Sequence, residues 1–358
     1  MKEIVILFGG ESVESEVSCI TGVLTLNALK KHFKITPVYV DKNGEWFTGE
    51  DLFNVENYKN LKVEKLKKVT ILPSSNKLFE LKGKKLKELF SISLVVNCMH
   101  GGNGENGSFR GLLDISKIPT LSSPVLSSAL SMDKIATKIF LKGLDIPYLP
   151  YFEYEEGKKR KLGFPLIVKP NSLGSSIGIS VCKTEEEYES AISTARRFDD
   201  RVLVEKKLEN FLEINLAVYK LKDKIVVSKP ENPIVAGGFL GFEDKYVKGE
   251  RIFPANIDKE LNLKINKIAK KIYSALNFEG IIRIDFLVKE DKVYVNEINA
   301  IPGSLSYYLF YDSVFDFSYL LKDMIFDTLE RFNKKQTLVK SFSSSILNLK
   351  GVKGQKRL

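Results

Sequence analysis

Residues 283–303, RIDFLVKEDKVYVNEINAIPG, constrain the fold more than any other stretch. Two apolar runs flank a short charged turn, Lys289-Glu290-Asp291-Lys292, which is the pattern of a β-hairpin. With the hairpin centred on Asp291, alternation puts Asp285 opposite Glu297 and Arg283 opposite Asn299, all on one face. Directly facing like charges destabilise a sheet, so something must neutralise them. Two answers fit the residues. One is a structural charge network with Arg283 and nearby lysines. The other is a hard cation between the carboxylates. Oxygen ligands from Asp285, Glu297 and the Asn299 amide suit Mg²⁺, which binds through few side chains plus phosphate oxygens.

The rest of the chain supplies the setting. Residues 3–8 read as a buried-type strand, followed by Gly9-Gly10 and an amphipathic helix from about Ser15 to Phe33, with Val17, Ile20, Leu24 and Ala28 at helical spacing. KITPVYVD and SISLVVNCMH return as strands, and this alternation points to a parallel sheet working at its strand C-termini. One helix is predicted over 125–142. FPLIVKP, GISVCKT and RVLVEKKL then read as strands and EEEYESAISTARRF as a helix. From about residue 209, long strands (EINLAVYK, KIVVSK) precede a glycine-rich loop, a helix over 258–277, the hairpin and a last helix, FSYLLKDMIFDTLERF. Three segments follow: 1–122, 123–207 and 208–358.

Composition narrows the function classes. A chain of 358 residues, 44% hydrophobic and 28% charged, is long enough for two or three ordinary globular domains. No apolar run approaches the ~20 residues of a membrane span, so no membrane partner is expected. The N-terminus enters a strand without a cleavable signal pattern. Three cysteines with no C-x-x-C indicate neither a disulfide frame nor a zinc site, which makes the cytoplasm the expected location. The net charge of +10 raises nucleic acid as a partner. The lysines are spread, however, as in KKLKELF and NKIAKKIYSAL, where polar helix faces are expected. No basic–aromatic interleaving occurs, and nucleic acid is not an expected partner. The basic tail LNLKGVKGQKRL reads as a solubilising end.

Four other stretches carry chemistry. In PLIVKPNSLGSSIGIS (165–180) a strand ends on Lys169, a Gly/Ser loop follows, and a second strand begins near Ile179. Backbone amides and hydroxyls of such a loop wrap phosphates, and Lys169 neutralises them. It is neither a Walker A loop nor a dinucleotide fingerprint, and a plain Ser-rich turn has the same composition. RVLVEKKLENFLE (201–213) offers Glu205 and Glu213 as acceptors for adenine or ribose, although glutamates are mostly solvated. NCMHGGNGENGSFRGLLD (97–114) is a glycine-rich turn opening into a helix near Ser108, an anion site built of backbone amides. His100 adds a hydrogen bond or charge there, near its ordinary titration range. The other histidine, His32, reads as structural. FGGESVESEVS (8–18) places Glu14 at a helix start, either to bind an ammonium group or as a helix-dipole partner.

Taken in order, LFGGESVESEVS, HGGNGENG, SALSMDK, IVKPNSLGSSIGIS, VEKKL, IIRIDF and NEINAIPGS resemble the motifs of the D-alanine–D-alanine ligases of the ATP-grasp superfamily, from residue 3 to about 330. The resemblance implies a mixed α/β, three-domain ATP-grasp fold. Its N-terminal sheet is Rossmann-like and parallel, and two antiparallel-sheet subdomains hold ATP between them. It implies that Lys134, Lys169 and Lys245 contact ATP phosphates with the Ser176 loop, and that Glu205, Leu208 and Glu213 contact adenosine. It further implies that Asp285, Glu297 and Asn299 hold magnesium, two ions with manganese as an alternative. Glu14 would bind the ammonium of the first D-alanine, and Ser175 and Tyr246 would link to that glutamate. Arg283 and the Gly303 amide would form the oxyanion site, with His100 at the substrate.

Tyr308 and Leu309 fall where the second substrate's carboxylate is bound. There PGSLSYYLF replaces the frequent PG-x-T-x-x-S, while Ser15, Asn106 and Arg110 are further departures. The implied substrates are D-alanine and ATP, and the implied assembly is a homodimer. The implied product is D-alanyl-D-alanine for peptidoglycan, made through an acyl phosphate. A D-serine or D-lactate acceptor is the nearest alternative, with lactate disfavoured by the lack of His in residues 231–256. A non-catalytic basic binding protein is the alternative of another class.

Overall fold

Three sheets order the chain in a computed structural model that describes residues 2–234 and 250–344. Lys245 and Tyr246, the rest of the glycine-rich loop and the basic tail lie outside the described residues.

The first sheet has eight strands: β1 (Glu3–Gly9), β2 (Lys34–Val40), β3 (Trp46–Thr48), β4 (Lys67–Ile71), β5 (Lys77–Lys82), β6 (Lys85–Ser91), β7 (Leu94–Asn97) and β8 (Thr120–Leu121). Their order is β6-β5-β4-β3-β2-β1-β7-β8. Strands β2, β1, β7 and β8 are parallel, and every residue of β1 is buried, as a strand covered on both faces requires. The parallel expectation covers only this half. Strands β3 to β6 extend the sheet antiparallel. KKLKELF, expected as a helix face, forms the edge strand β6, where exposed lysines discourage pairing with another chain.

Helix α1 (Ser15–Leu29) packs on this sheet. Its buried side is the expected stripe only in part: Leu24 and Ala28 pack in the core, whereas Val17 and Ile20 line a cleft. Ile20 is 50% exposed and faces a cleft, while Cys19, Leu26 and Leu29 enter the core. Buried hydroxyls replace apolar residues where the helix meets polar backbone. Ser18 Oγ donates to Cys98 O at 2.8 Å and accepts from Gly9 N at 2.7 Å. Gly22 is needed because a Cβ there would lie 2.3 Å from the Phe8 ring.

Helices α2 (Gly102–Glu105) and α3 (Ser108–Ile115) follow β7. The helix expected over 125–142 is two, α4 (Val125–Met132) and α5 (Lys134–Gly143), because Asp133 is extended and caps α5 by accepting from Ala136 N at 2.7 Å. The second sheet, antiparallel throughout, runs β11 (Ser180–Cys182), β10 (Leu166–Pro170), β12 (Val202–Lys206), β9 (Tyr151–Glu153). Helix α6 (Glu185–Ala195) covers its apolar face in a separate core with Val168, Val202 and Val204.

The third sheet runs β14 (Lys224–Val227), β13 (Leu212–Leu221), β17 (Ile281–Lys289), β18 (Lys292–Asn299), also antiparallel. Helix α7 (Lys259–Ala275) buries its Ile265, Ala269 and Ile272 against Ile214, Leu216, Ile282, Ile284 and Phe286. A small pair, β15 (Asn232–Pro233) with β16 (Arg251–Ile252), stands beside it. The last helix, α8 (Val314–Gln336), returns to α1 and joins the first sheet's core. Among the described residues no helix is long and apolar enough to cross a membrane.

Candidate active site

The expected facing pairs are present: Arg283 lies opposite Asn299 and Asp285 opposite Glu297. The turn closes as expected at Lys289 opposite Lys292, with its centre between Glu290 and Asp291, half a residue before Asp291. A bulge at Asp285/Phe286 absorbs Asn296 and restores the expected pairing. Its effect is visible in burial. Val293 and Val295 face the α7 core, but the next core residue is Ile298, so Glu297 and Asn299 turn to the other face. In an unbulged strand Glu297 would follow Val295 into that core.

On the polar face, Arg283 makes a two-pronged pair with Asp285, Nε to Oδ1 at 2.7 Å and an Nη to Oδ2 at 2.8 Å. Asn299 Nδ2 donates to Asp285 Oδ2 at 3.2 Å. Burial works against the Arg283 charge, and adjacent Asp285 overrides it, holding the guanidinium well above its ordinary range. The structural network and the cation reading are therefore compatible, since the pair occupies one carboxylate and leaves Glu297 facing the same cleft. Asn215, across β13 from Asp285, has its Oδ1 buried without a hydrogen-bond partner among the described residues. Among those residues no group of three or more His, Cys, Asp or Glu is arranged to hold a metal. Two carboxylates and two amide oxygens fit a hard cation that completes its shell with phosphate oxygens and water.

This face looks into a cleft of about 450 Å³ that Glu14, His100, Lys134, Ser175, Glu213, Gly303 and Tyr308 also line. Glu14 stands at the N-cap of α1, and Ser175 Oγ donates to its Oε1. Ser175 and Ser176 are both left-handed, with φ of 53° and 59°. Their neighbour Gly174 packs so closely that a Cβ would lie 2.5 Å from Glu14 Oε2. Lys134 donates from Nζ to Leu173 O at 2.6 Å, tying α5 to the same loop. Burial pushes its ammonium down and Glu297 opposes that shift.

The glycine-rich turn behaves differently from expectation. His100 is buried and its Nε2 pairs with Thr21 Oγ1 at 2.8 Å. Burial lowers it to about 4, so it offers a hydrogen bond and no charge at neutral pH. Glu105, the acid of the same turn, accepts from Gly101 N and from Ile301 N, each at 3.0 Å. With Ser304 N donating to Thr21 Oγ1 at 2.9 Å, these contacts hold the segment carrying Gly303 from both sides. Ser304, Leu305 and Ser306 after it are left-handed (φ 49°, 50° and 48°).

Several expected residues stand elsewhere. Lys169 and Glu205 do not line the cleft. They form a buried ion pair behind it, and Lys138 of α5 pairs with the other oxygen of Glu205. Leu309 is 1% exposed and its side chain belongs to the α1 core, which leaves only its main chain for a ligand. Leu208 lies outside the cleft. Tyr308 does face the cleft, with the Arg251 guanidinium 4.4 Å over its ring and Arg251 Nη1 donating to Glu231 at 2.9 Å. Lys138, Glu105, Asn215 and Arg251 were not singled out from sequence. Lys138 had a signal, its i+4 spacing from Lys134, and Glu105 is the one acid within GGNGENG.

Residues 3–123 match a family model described as "D-ala D-ala ligase N-terminus", and residues 149–326 one described as "D-ala D-ala ligase C-terminus". The D-alanine–D-alanine ligase of Thermosipho melanesiensis is 42% identical over 98% of this chain and 99% of its own length. The crystal structure of D-alanine-D-alanine ligase from Helicobacter pylori superposes with a TM-score of 0.77 at 31% identity, covering 91% of this chain and 98% of that one. VanG D-Ala:D-Ser ligase from Enterococcus faecalis superposes with a TM-score of 0.76 at 27% identity, covering 92% and 98%. Matched by both halves of the family model and by a relative along nearly its whole length, the chain belongs to the D-alanine–D-alanine ligase family.

Proposed function

We propose that this chain joins two D-alanines to D-alanyl-D-alanine at the expense of ATP, supplying a precursor for peptidoglycan. One observation carries the reading: the face bearing Arg283, Asp285, Glu297 and Asn299 opens on the same cleft as Glu14, Ser175 and Lys134. A carboxylate does not condense with an amine unaided. Glu14 receives the ammonium of the first D-alanine, and a carboxylate oxygen of that D-alanine takes the γ-phosphoryl group of ATP, giving D-alanyl phosphate and ADP. The neutral amine of the second D-alanine then attacks the acyl carbon, loses a proton, and phosphate leaves. Arg283 and the Gly303 amide stabilise the oxyanion that develops on the way. Asp285, Glu297 and Asn299 would hold Mg²⁺, two ions with Mn²⁺ as an alternative, and the bound metal would supply positive charge for the phosphates. Lys134 and Lys169 add fixed positive charge on the phosphate side.

Glu213 borders the cleft and suits ribose hydroxyls. Leu208, Ser176 and Lys245 stay with the nucleotide on the family pattern, and Tyr246 keeps its link to Glu14 with Ser175. The units 1–122, 123–207 and 208–358 are supported by the separate core under α6, and a cytoplasmic homodimer rests on the resemblance. The acceptor is read as D-alanine, with D-serine as an arm of the test because VanG, a D-Ala:D-Ser ligase, superposes equally well.

The test supplies ATP, MgCl₂ and D-alanine with or without D-serine or D-lactate, and measures phosphate release and product mass. D-Alanine-dependent phosphate and the D-alanyl-D-alanine mass are expected. No D-alanine-dependent phosphate release would refute the reading. Glu297→Ala is expected to lower turnover by at least about 100-fold at fixed Mg²⁺, and full activity in that variant removes Glu297 from the metal site.

A further inference from the structure

Behind the cleft lies a charge cluster in which the proposed chemistry gives a task to Lys169 and none to Lys138. Strands β10 and β12 pair with Ile167 opposite Glu205 and Lys169 opposite Leu203, so Lys169 and Glu205 are diagonal neighbours on one face. The other face is apolar and covered by α6. Across the polar face lies α5. Lys134 and Lys138, one helical turn apart, point the same way from it. Lys134 reaches the cleft, whereas Lys138 stops inside, ion-paired to Glu205 Oε1, while Lys169 pairs with Oε2. The three side chains are 3%, 1% and 9% exposed for Lys138, Glu205 and Lys169. The Lys138 ammonium also lies 5.9 Å from the Tyr148 ring centre and 5.5 Å from that of Tyr151. That aromatic environment favours a cation with little water.

Charge counting gives this arrangement a purpose. A buried carboxylate with a single lysine is a neutral pair, and that lysine is held where the carboxylate is. A second lysine leaves the cluster with a net charge of one unit, and the carboxylate is divided between two partners. We infer that Lys138 is a positioning residue for the nucleotide site, taking one oxygen of Glu205 so that Lys169 remains a charged donor available to a phosphate. The inference rests on the reading of Lys169 as a phosphate contact, and it adds a counter-ion role to the adenosine contact expected of Glu205. Burial opposes ionisation of Glu205, and Lys138 and Lys169 together override it, holding the carboxyl at about 2. Glu205 therefore stays ionised at neutral pH, while burial pushes the Lys138 ammonium down against the opposing pull of Glu205.

The test compares Lys138→Met, Glu205→Gln, the double variant and Lys138→Arg with the wild-type enzyme. ADP affinity is measured by calorimetry, and KM for ATP and D-alanine by phosphate release. Lys138→Met leaves Lys169 locked to Glu205, and ADP affinity is expected to fall about tenfold, the worth of one charge-assisted contact. KM for ATP rises alongside, and KM for D-alanine stays within about twofold, the scatter of uncoupled sites.

The double variant again leaves one net positive charge, on Lys169, and is expected to recover most of the lost ADP affinity, while Lys138→Arg retains it. A role confined to packing would make the two single losses add. Unchanged ADP affinity in Lys138→Met, or a double variant no better than that single one, overturns the inference. If Lys138→Met does not fold, the double variant decides: near-wild-type ADP affinity supports the inference and a loss of about tenfold overturns it. ADP affinities that follow the expected pattern in an enzyme without D-alanine-dependent turnover would sink the proposed reaction and leave this inference standing.

Discussion

Glu105 and His100 lie five positions apart in the glycine-rich turn and shift in opposite directions. Burial, with Glu14 and Glu297 nearby, pushes the Glu105 carboxyl from an ordinary 4.5 up to about 7, and its two backbone hydrogen bonds offset only part of that. Burial pushes His100 from 6.5 down to about 4. The folded protein therefore holds the Glu105 proton more tightly than the unfolded chain between pH 4.5 and 7, and stability falls as pH rises through that window. His100 acts the other way. The unfolded chain binds the extra proton between pH 4 and 6.5, and stability rises with pH there. Over the shared range the two slopes cancel. Glu105→Gln removes one of them. Its stability relative to wild type is expected to climb by about 1.4 kcal/mol per pH unit from 4.5 to 7. Urea unfolding at a series of pH values in EDTA reads this directly, and a pH-independent difference between the two proteins rejects it.

Elements explain why part of the site was legible and part was not. The polar face of the hairpin could be read because Ile282, Ile284, Phe286 and Val288 alternate along β17 and fix the facing of Arg283 and Asp285. In β18 the apolar spacing slips from Val293 and Val295 to Ile298, which is the sequence trace of the bulge. The four turn residues are those expected, and the bulge moves the centre of the pairing by half a residue, to Asp291, for Asp285 and Glu297. Lysine-rich strands β4 to β6 carried no such trace, because an edge strand with lysines alternates much as a solvated helix face does. The α4–α5 break was hidden for another reason. SALSMDKIATKIF is amphipathic throughout, and only the capping preference of Asp133 marks the boundary. Asp133 also accepts from Arg201 Nη1 at 2.6 Å. Asp133→Ala is expected to cost about 1 kcal/mol from the lost cap, read as a lower urea midpoint, whereas Asp133→Asn, which keeps a capping oxygen, costs less. Equal losses in both variants would assign the effect to the Arg201 pair instead.

At the scale of the molecule, the first and third sheets share a core and the second does not. Ala217, Tyr219 and Ile281 of β13 and β17 pack with Ile6, Leu26 and α8, whereas α6 and its sheet enclose a core of their own. Further ties reach Glu279 beside the third sheet: Arg110, anchored to Ser122 O at 2.6 Å, lies 3.5 Å from its carboxylate, and Ser123 Oγ donates to its main-chain O at 2.9 Å. Arg110, a departure from the family pattern, thus has a bracing position far from the cleft side chains. The second sheet meets the cleft through the loop 171–178, where Ser175 Oγ donates to Glu14 and Lys134 holds Leu173 O. A hydrogen bond to a charged acceptor contributes roughly 1.5–3 kcal/mol, enough to govern local opening of a loop without touching either core. Ser175→Ala is accordingly expected to raise the rate of subtilisin cleavage within 171–178 about tenfold or more. Gly174→Ala should act in the same direction, since its Cβ would strike the Glu14 carboxylate. Cleavage in β1 and β7, inside the shared core, should stay at the wild-type rate. Acceleration spread evenly along the chain would mean that Ser175 supports the whole fold. Unchanged cleavage would mean that the loop is seated by Lys134 and its own turns, with Glu14 playing no part in holding it.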